Sequence, residues 1–398
     1  MEIMKMTRGG IQLCLSGLLA AGGLLGGCTA GPVEDTIPEE ARLVEVRFAK
    51  PDLGIPTLLT RAEGAEAAEP TPLPTGSTVR IAAYYRCGTG EGGSPVSFST
   101  TAPDLEATYR VGDGGVLTLC PVDDAGKPVA GKAEGMVIRG GVYDFYAVSP
   151  ARKLAKNADG GTWQITDIPH KEDVMTSFAR SVTISGASRQ VTLSTFSRKC
   201  ALVVFNVAPS KENALPFSQL YGTKLVVSKI SSSGASLVAG DNMGITPTGG
   251  NTGAEAVVTF ESAEFVAVEA GSDPGMVGLN KTKGVLLPKS NGAFDVEIEV
   301  QRDDKTATLK ATIDKNISFE EGKRYVFTLE VKNNESSLLL TVLDWNAIPF
   351  TDTNVGGPDT PYPDPDINVG IGTTVTVAQW SEIPWSGNGN IGGGSETN

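Results

Sequence analysis

The chain has 398 residues, a formal net charge of −13 and 40% hydrophobic residues. That hydrophobic content is enough for packed cores and excludes a wholly disordered chain, and the length accommodates two domains of ordinary size with tails. The acidic balance argues against nucleic acid, whose affinity comes from Lys and Arg neutralising phosphates, and against adsorption to anionic lipid.

Lys5 and Arg8 precede an apolar run over 11–25, which closes in Leu25-Gly26-Gly27-Cys28. The run is shorter than the ~20 apolar residues of a spanning helix, and its flanks are those of a secretory signal. A leucine three places before a cysteine, with small residues between, resembles the lipobox of bacterial lipoproteins. That resemblance implies that 1–27 is a lipoprotein signal peptide and Cys28 the lipidated first residue of the mature chain. The alternative is an ordinary signal peptide cut near Cys28. Past Leu25 no apolar run is long enough to cross a bilayer.

A Pro-rich, acidic tether over 29–40 leads to Leu43-Val44-Glu45-Val46-Arg47-Phe48, whose clean alternation places Val44, Val46 and Phe48 on one face. This predicts a half-buried strand. A low-complexity stretch of Ala, Glu and Pro then runs to Pro74, so the strand is separated from the body that follows. The body reads as all-β: short runs rich in Val, Ile, Thr and aromatics recur between Gly, Asn, Asp and Ser clusters. Strands are expected near 78–85, 142–148, 201–207, 224–230 and 256–260. Hairpins are expected over 294–313 and 325–343. No segment carries a long 3.6-residue apolar period, so helices should be few and short. The domain boundary is placed within 190–199.

Three cysteines remain outside the leader, Cys87, Cys120 and Cys200, at no metal-like spacing. At most one disulfide can form among them, and buried thiols and a Cys87–Cys120 bridge both stay open. His170 is the only histidine and is expected in an exposed polar loop. There is no H-E-x-x-H, C-x-x-C or G-x-x-x-x-G-K-S/T. The expectation is therefore no enzyme, with no catalytic residues, metal or cofactor.

The tail holds a duplication. Trp345, Ile348, Pro349 and Phe350 precede Asn354-Val355-Gly356-Gly357, and Trp380, Ile383, Pro384 and Trp385 precede Asn390-Ile391-Gly392-Gly393. After the Pro-rich spacer 358–365, Ile367, Val369, Ile371, Val375 and Val377 fall on one face of a single strand. At ~3.3 Å per residue its length is roughly 35 Å. Such a strand on a leash suits addition to another subunit's sheet; the alternative is an edge strand of its own second domain.

Taken together, these segments resemble the fimbrillin-like proteins of Bacteroides-type bacteria, the type V pilins. The resemblance is carried by Thr60-Arg61-Ala62, by the strand opening Leu73-Pro74-Thr75-Gly76, by Gly140-Gly141-Val142-Tyr143-Asp144-Phe145-Tyr146-Ala147, and by Gly322-Lys323-Arg324-Tyr325 with Asp344-Trp345-Asn346. Where members of that family carry a histidine near the second domain, this chain has Ser197-Arg198-Lys199-Cys200. The resemblance implies an all-β chain of two tandem transthyretin-like β-sandwich domains with an N-terminal lipoprotein signal and an extended C-terminal strand. The implied division is a signal at 1–27, a tether with a removable first strand at 28–61, sandwiches at 62–195 and 196–350, and a linker with donor strand at 351–398. It also implies a cell-surface pilus subunit delivered to the outer membrane through a lipid on Cys28. An arginine-specific surface protease would cut between Arg61 and Ala62 and release Val44, Val46 and Phe48. Ile367, Val369, Ile371, Val375 and Val377 would then fill the groove of another pilin subunit. The competing function is a monomeric, lipid-anchored glycan binder that stacks sugars on Trp163, Trp380 and Trp385.

Overall fold

A computed structural model describes residues 42–53, 71–209, 220–247, 256–268, 279–282, 284–290, 292–302, 305–313, 317–331, 336–344 and 378–386. Cys28, Arg61, Ala62 and the five proposed donor residues, Ile367, Val369, Ile371, Val375 and Val377, lie outside them.

The first half is built from β1 (Leu43–Glu45), β2 (Arg47–Phe48), β3 (Thr78–Cys87), β4 (Leu105–Val111), β5 (Val137–Arg139), β6 (Gly141–Ser149), β7 (Trp163–Ile168), β8 (Met175–Ile184) and β9 (Gln190–Val191). A six-stranded sheet runs in the order Ser197–Arg198, β8, β6, β3, β4, Leu117–Leu119. Every residue of β6 is buried, because both faces of this sheet are covered. Tyr143, Phe145 and Ala147 point into the first core with Val79, Ile81 and Ala83 of β3. Tyr146 and Val148 point the other way, with Ala82 and Tyr84. The period of two thus divides the strands' side chains between two cores. Gly141 is required where β6 starts: a Cβ there would stand 2.6 Å from the Tyr85 ring and 3.0 Å from the Cys87 carbonyl oxygen.

The second half contains β10 (Ala201–Pro209), β11 (Leu220–Ser228), β12 (Ala235–Val238), β13 (Val257–Glu261), β14 (Gly284–Leu286), β15 (Phe294–Arg302), β16 (Lys305–Ile313), β17 (Lys323–Val331), β18 (Ser336–Asp344) and β19 (Ala378–Ser386). One sheet is ordered Phe265–Val268, Leu279–Thr282, β10, β17, β18, with β14 also on β10; the other is β13, β11, β15, β16, β19. Between them lie Phe205, Leu225, Val227, Phe260, Phe294, Ile298 and Phe327. Both expected hairpins form, β15 with β16 and β17 with β18. Among the described residues the helical segments are two single 3-10 turns, Asp113–Gly115 and Ser262–Glu264.

A third core joins the halves. β7 pairs antiparallel with β12 inside a four-stranded sheet completed by Ala155–Lys156 and Ile245–Thr246. Tyr84, Phe98, Tyr146, Ile165 and Ile168 pack there with Leu202, Leu237 and Leu287. Contacts over 38–398 accordingly cluster as one unit.

His170 departs from its expected exposed loop. It is 8% exposed, its Nε2 2.6 Å from the Ser231 carbonyl oxygen and its Nδ1 accepting the Leu287 N–H at 3.1 Å. The loop is polar in sequence because it inserts into the second half: Lys171 N–H donates to the Val285 carbonyl and Lys171 Nζ pairs with Glu264 at 2.7 Å. Cys87, Cys120 and Cys200 are all free thiols.

Candidate functional site

The site is the slot that the first strand fills. Strand β1 lies antiparallel to β5, with Leu43, Val44 and Glu45 opposite Arg139, Ile138 and Val137. The Val46 N–H then donates to the Met136 carbonyl at 2.8 Å. On the other edge β2 runs parallel to β9, and the Arg47 and Ala49 N–H groups donate to the carbonyls of Arg189 and Val191, each at 2.8 Å. The strand therefore sits between two neighbours, although each ladder is only two or three pairs long. The β3–β6 ladder behind it has seven.

Val44 and Val46 are each 5% exposed and belong to the first core beside Ile138, Val191 and Met136. Phe48 is half-buried against the same core. Its ring meets Tyr109 edge-on at 5.4 Å and Phe145 at 5.8 Å, the geometry aromatic quadrupoles favour. Burial raises the Tyr109 phenol to about 12, so it stays neutral at physiological pH. The first strand is thus held by apolar shape and main-chain hydrogen bonds. Outward positions of the strand, Leu43, Glu45 and Arg47, are exposed.

The second half repeats this arrangement in β10. That strand is antiparallel to β14 on one edge and parallel to β17 on the other. Its inward residues Ala201, Val203 and Phe205 are buried, and Phe205 stacks on Phe327 at 4.8 Å. Val44-x-Val46-x-Phe48 and Ala201-x-Val203-x-Phe205 are one pattern at one structural position. Sequence reasoning passed over this internal match, which the residues alone display.

The structure brings the three displaced-strand candidates Val44, Val46 and Phe48 together in one core. The segment just after the donor candidates forms β19, antiparallel to β16 and an end strand of its sheet. Pro384 is tolerated there because it falls within a register irregularity of an edge strand. Trp163 packs half-buried against the junction core, with Lys156 Nζ 5.9 Å from its ring centre. Among the described residues no group of three or more His, Cys, Asp or Glu could hold a metal, and no helix is long and apolar enough to cross a membrane.

A family model described as fimbrillin-like matches residues 138–345, just over half of the chain. The chain belongs to the fimbrillin-like family. The matched span starts in β5, on the wall of the slot, and runs past the end of β18. Family membership gives this fimbrillin-like chain a pilus- or adhesion-related, structural role at the cell surface. No curated protein matches it. Among solved structures it is similar to a candidate cell adhesion protein from Bacteroides fragilis (18% identity, TM-score 0.48, 76% of this chain and 97% of that one). It is also similar to the tip fimbrial protein Mfa3 from Porphyromonas gingivalis with C-terminal truncation (9% identity, TM-score 0.34, 68% and 95%). A third is a fimbrial assembly protein from Parabacteroides distasonis (13% identity, TM-score 0.29, 75% and 94%).

Proposed function

We propose that this fimbrillin-like chain is a pilus subunit that polymerises by exchange of its first strand. It is exported as a lipoprotein, held at the outer membrane by a lipid on Cys28 and cut by an arginine-specific protease between Arg61 and Ala62. Cleavage leaves the strand carrying Val44, Val46 and Phe48 bound only by non-covalent contacts, and the lipid leaves with it. A strand from another subunit then occupies the slot. The chain's own donor is the stretch with Ile367, Val369, Ile371, Val375 and Val377.

The observation that carries this reading is the interior position of a strand joined to the body through the Arg61 segment. Burial of Val44, Val46 and half of Phe48 is worth on the order of 5 kcal/mol, so an emptied slot is a strong driving force for a replacement. The short ladders of β1 and β2 oppose release weakly.

The experiment treats the exported chain, residues 28–398, with an arginine-specific protease and sequences the new N-terminus. The expected product begins at Ala62 and enters SDS-resistant ladders when mixed with the other pilin subunits of the cell surface, and Arg61→Ala prevents both. Truncation after Pro365 abolishes the ladders. Ladders that persist without the tail refute the donor assignment, and a product still carrying Cys28 refutes the delivery role of the lipid.

A further inference from the structure

The three pockets of the slot differ in what they demand. Val44 stands opposite Ile138 in its ladder, and the Val46 amide bonds to the Met136 carbonyl; both positions hold a branched aliphatic side chain. The third is aromatic on two sides: Tyr109 and Phe145 both present themselves to the Phe48 ring, at interplanar angles of 67° and 85°. The equivalent position in the second half is again phenylalanine, Phe205, against Phe327. Two strands in one structural position, 157 residues apart in the sequence at this phenylalanine, thus have the same third residue.

The chain's own tail does not meet that demand. On its apolar face Ile367, Val369, Ile371, Thr373, Val375, Val377 and Gln379 alternate, and none is aromatic. In any register of 367–379 an aliphatic or polar side chain would face Tyr109 and Phe145; Trp385, the next aromatic residue of the same parity, lies in β19, already laddered to β16. Ring-edge contacts would be lost and the space of a phenyl group underfilled.

We propose that the first-strand slot is selective for an extended strand of a different protein, one carrying an aromatic residue at the third inward position after two branched apolar ones, and that it discriminates against this chain's own tail. The proposal rests on the reading that the first strand leaves the slot. Its consequence is ordered, heterologous assembly: the tail suits a slot with three aliphatic pockets, which this chain does not offer. Specificity arises here as a difference of affinities at one pocket.

The test uses the exported chain nicked by an arginine-specific protease and freed of its first strand in mild denaturant. Fluorescent peptides are titrated and read by anisotropy. The peptide of residues 42–50 is expected to bind, Phe48→Trp to bind within threefold of it, and Phe48→Ile at least tenfold more weakly. The tail peptide of residues 366–378 is expected to bind at least tenfold more weakly than 42–50, and its Ile371→Phe variant to recover most of that loss. If the unaltered tail peptide binds as tightly as 42–50, or if Phe48→Ile is neutral, the selectivity is overturned while the exchangeable slot stands. If no peptide binds, including 42–50, the exchangeable slot itself falls and the selectivity with it.

Discussion

Replacing Val46 with alanine in the uncut chain tests whether the first strand is separable from the sandwich it completes. Val46 is 5% exposed and its amide is bonded to Met136. The substitution removes two methyl groups, about 0.8 kcal/mol each, and leaves part of their volume unfilled, for a total near 2 kcal/mol. At about 1.4 kcal/mol per decade the strand should open roughly 30 times more often. Native-state hydrogen exchange reads this directly at the amides of Val46, Arg47 and Ala49, which are bonded to the carbonyls of Met136, Arg189 and Val191. Those amides should lose about 30-fold in protection, while amides of the β3–β6 ladder change little, because a strand held by two short ladders opens below the global level. An equal loss across β3 and β6 would mean that the strand leaves only when the whole sandwich unfolds, and the exchange reading would fail. No loss anywhere would refute the burial energy itself.

Other groups give separate tests. Lys289 is 3% exposed, with its ammonium among the carbonyls of Ser290 (2.9 Å), Ile317 (3.1 Å) and Gly292, and burial lowers its pKa from 10.5 to about 8. The unfolded chain therefore binds more protons between pH 8 and 10.5, and stability should rise with pH across that window by up to about 3 kcal/mol; urea unfolding of Lys289→Met should lack this rise. Burial likewise lowers the pKa of His170 below 6.5. Its contribution is complete above pH 6.5 and lost as the pH falls below it, when a protonated Nδ1 faces the Leu287 N–H. In urea unfolding between pH 7.5 and 5, His170→Phe should flatten that part of the profile. Asp144, wholly buried, accepts from Arg86, Arg180 and the N–H groups of Val96 and Ser181. Asp144→Asn leaves Arg86 without its counter-charge and Arg180 with Asp241 alone, and should cost about 3 kcal/mol in urea unfolding.

The fold was legible where side-chain alternation is local. Val44, Val46 and Phe48 share a face in the sequence and a core in the structure. The two hairpins likewise follow from apolar runs separated by polar turn residues. What local pattern does not carry is the identity of a distant partner. Nothing in Trp163-Gln164-Ile165 points to Leu237 and Val238, its ladder partners some seventy residues on. The parallel pairing of Val203 with Tyr325 is equally silent. His170 was misread for a related reason: polar neighbours such as Lys171, Glu172 and Asp173 signal water in a single-sequence reading, yet here they pair with Glu264, Arg152 and Arg198. The slot was legible as a strand; its aromatic third pocket was not, because Tyr109 and Phe145 come from β4 and β6, far along the sequence.

The shared sheet of β7 and β12 has a mechanical meaning. If one partner occupies the slot of the first half and another engages the second half, tension along the assembly must cross this junction. The load is then divided among the covalent link at Lys199-Cys200, the β7–β12 ladder, the inserted His170–Lys171 loop and the Arg180–Asp241 pair. A chain tied across its middle in this way would pass tension first to the strands at its two ends.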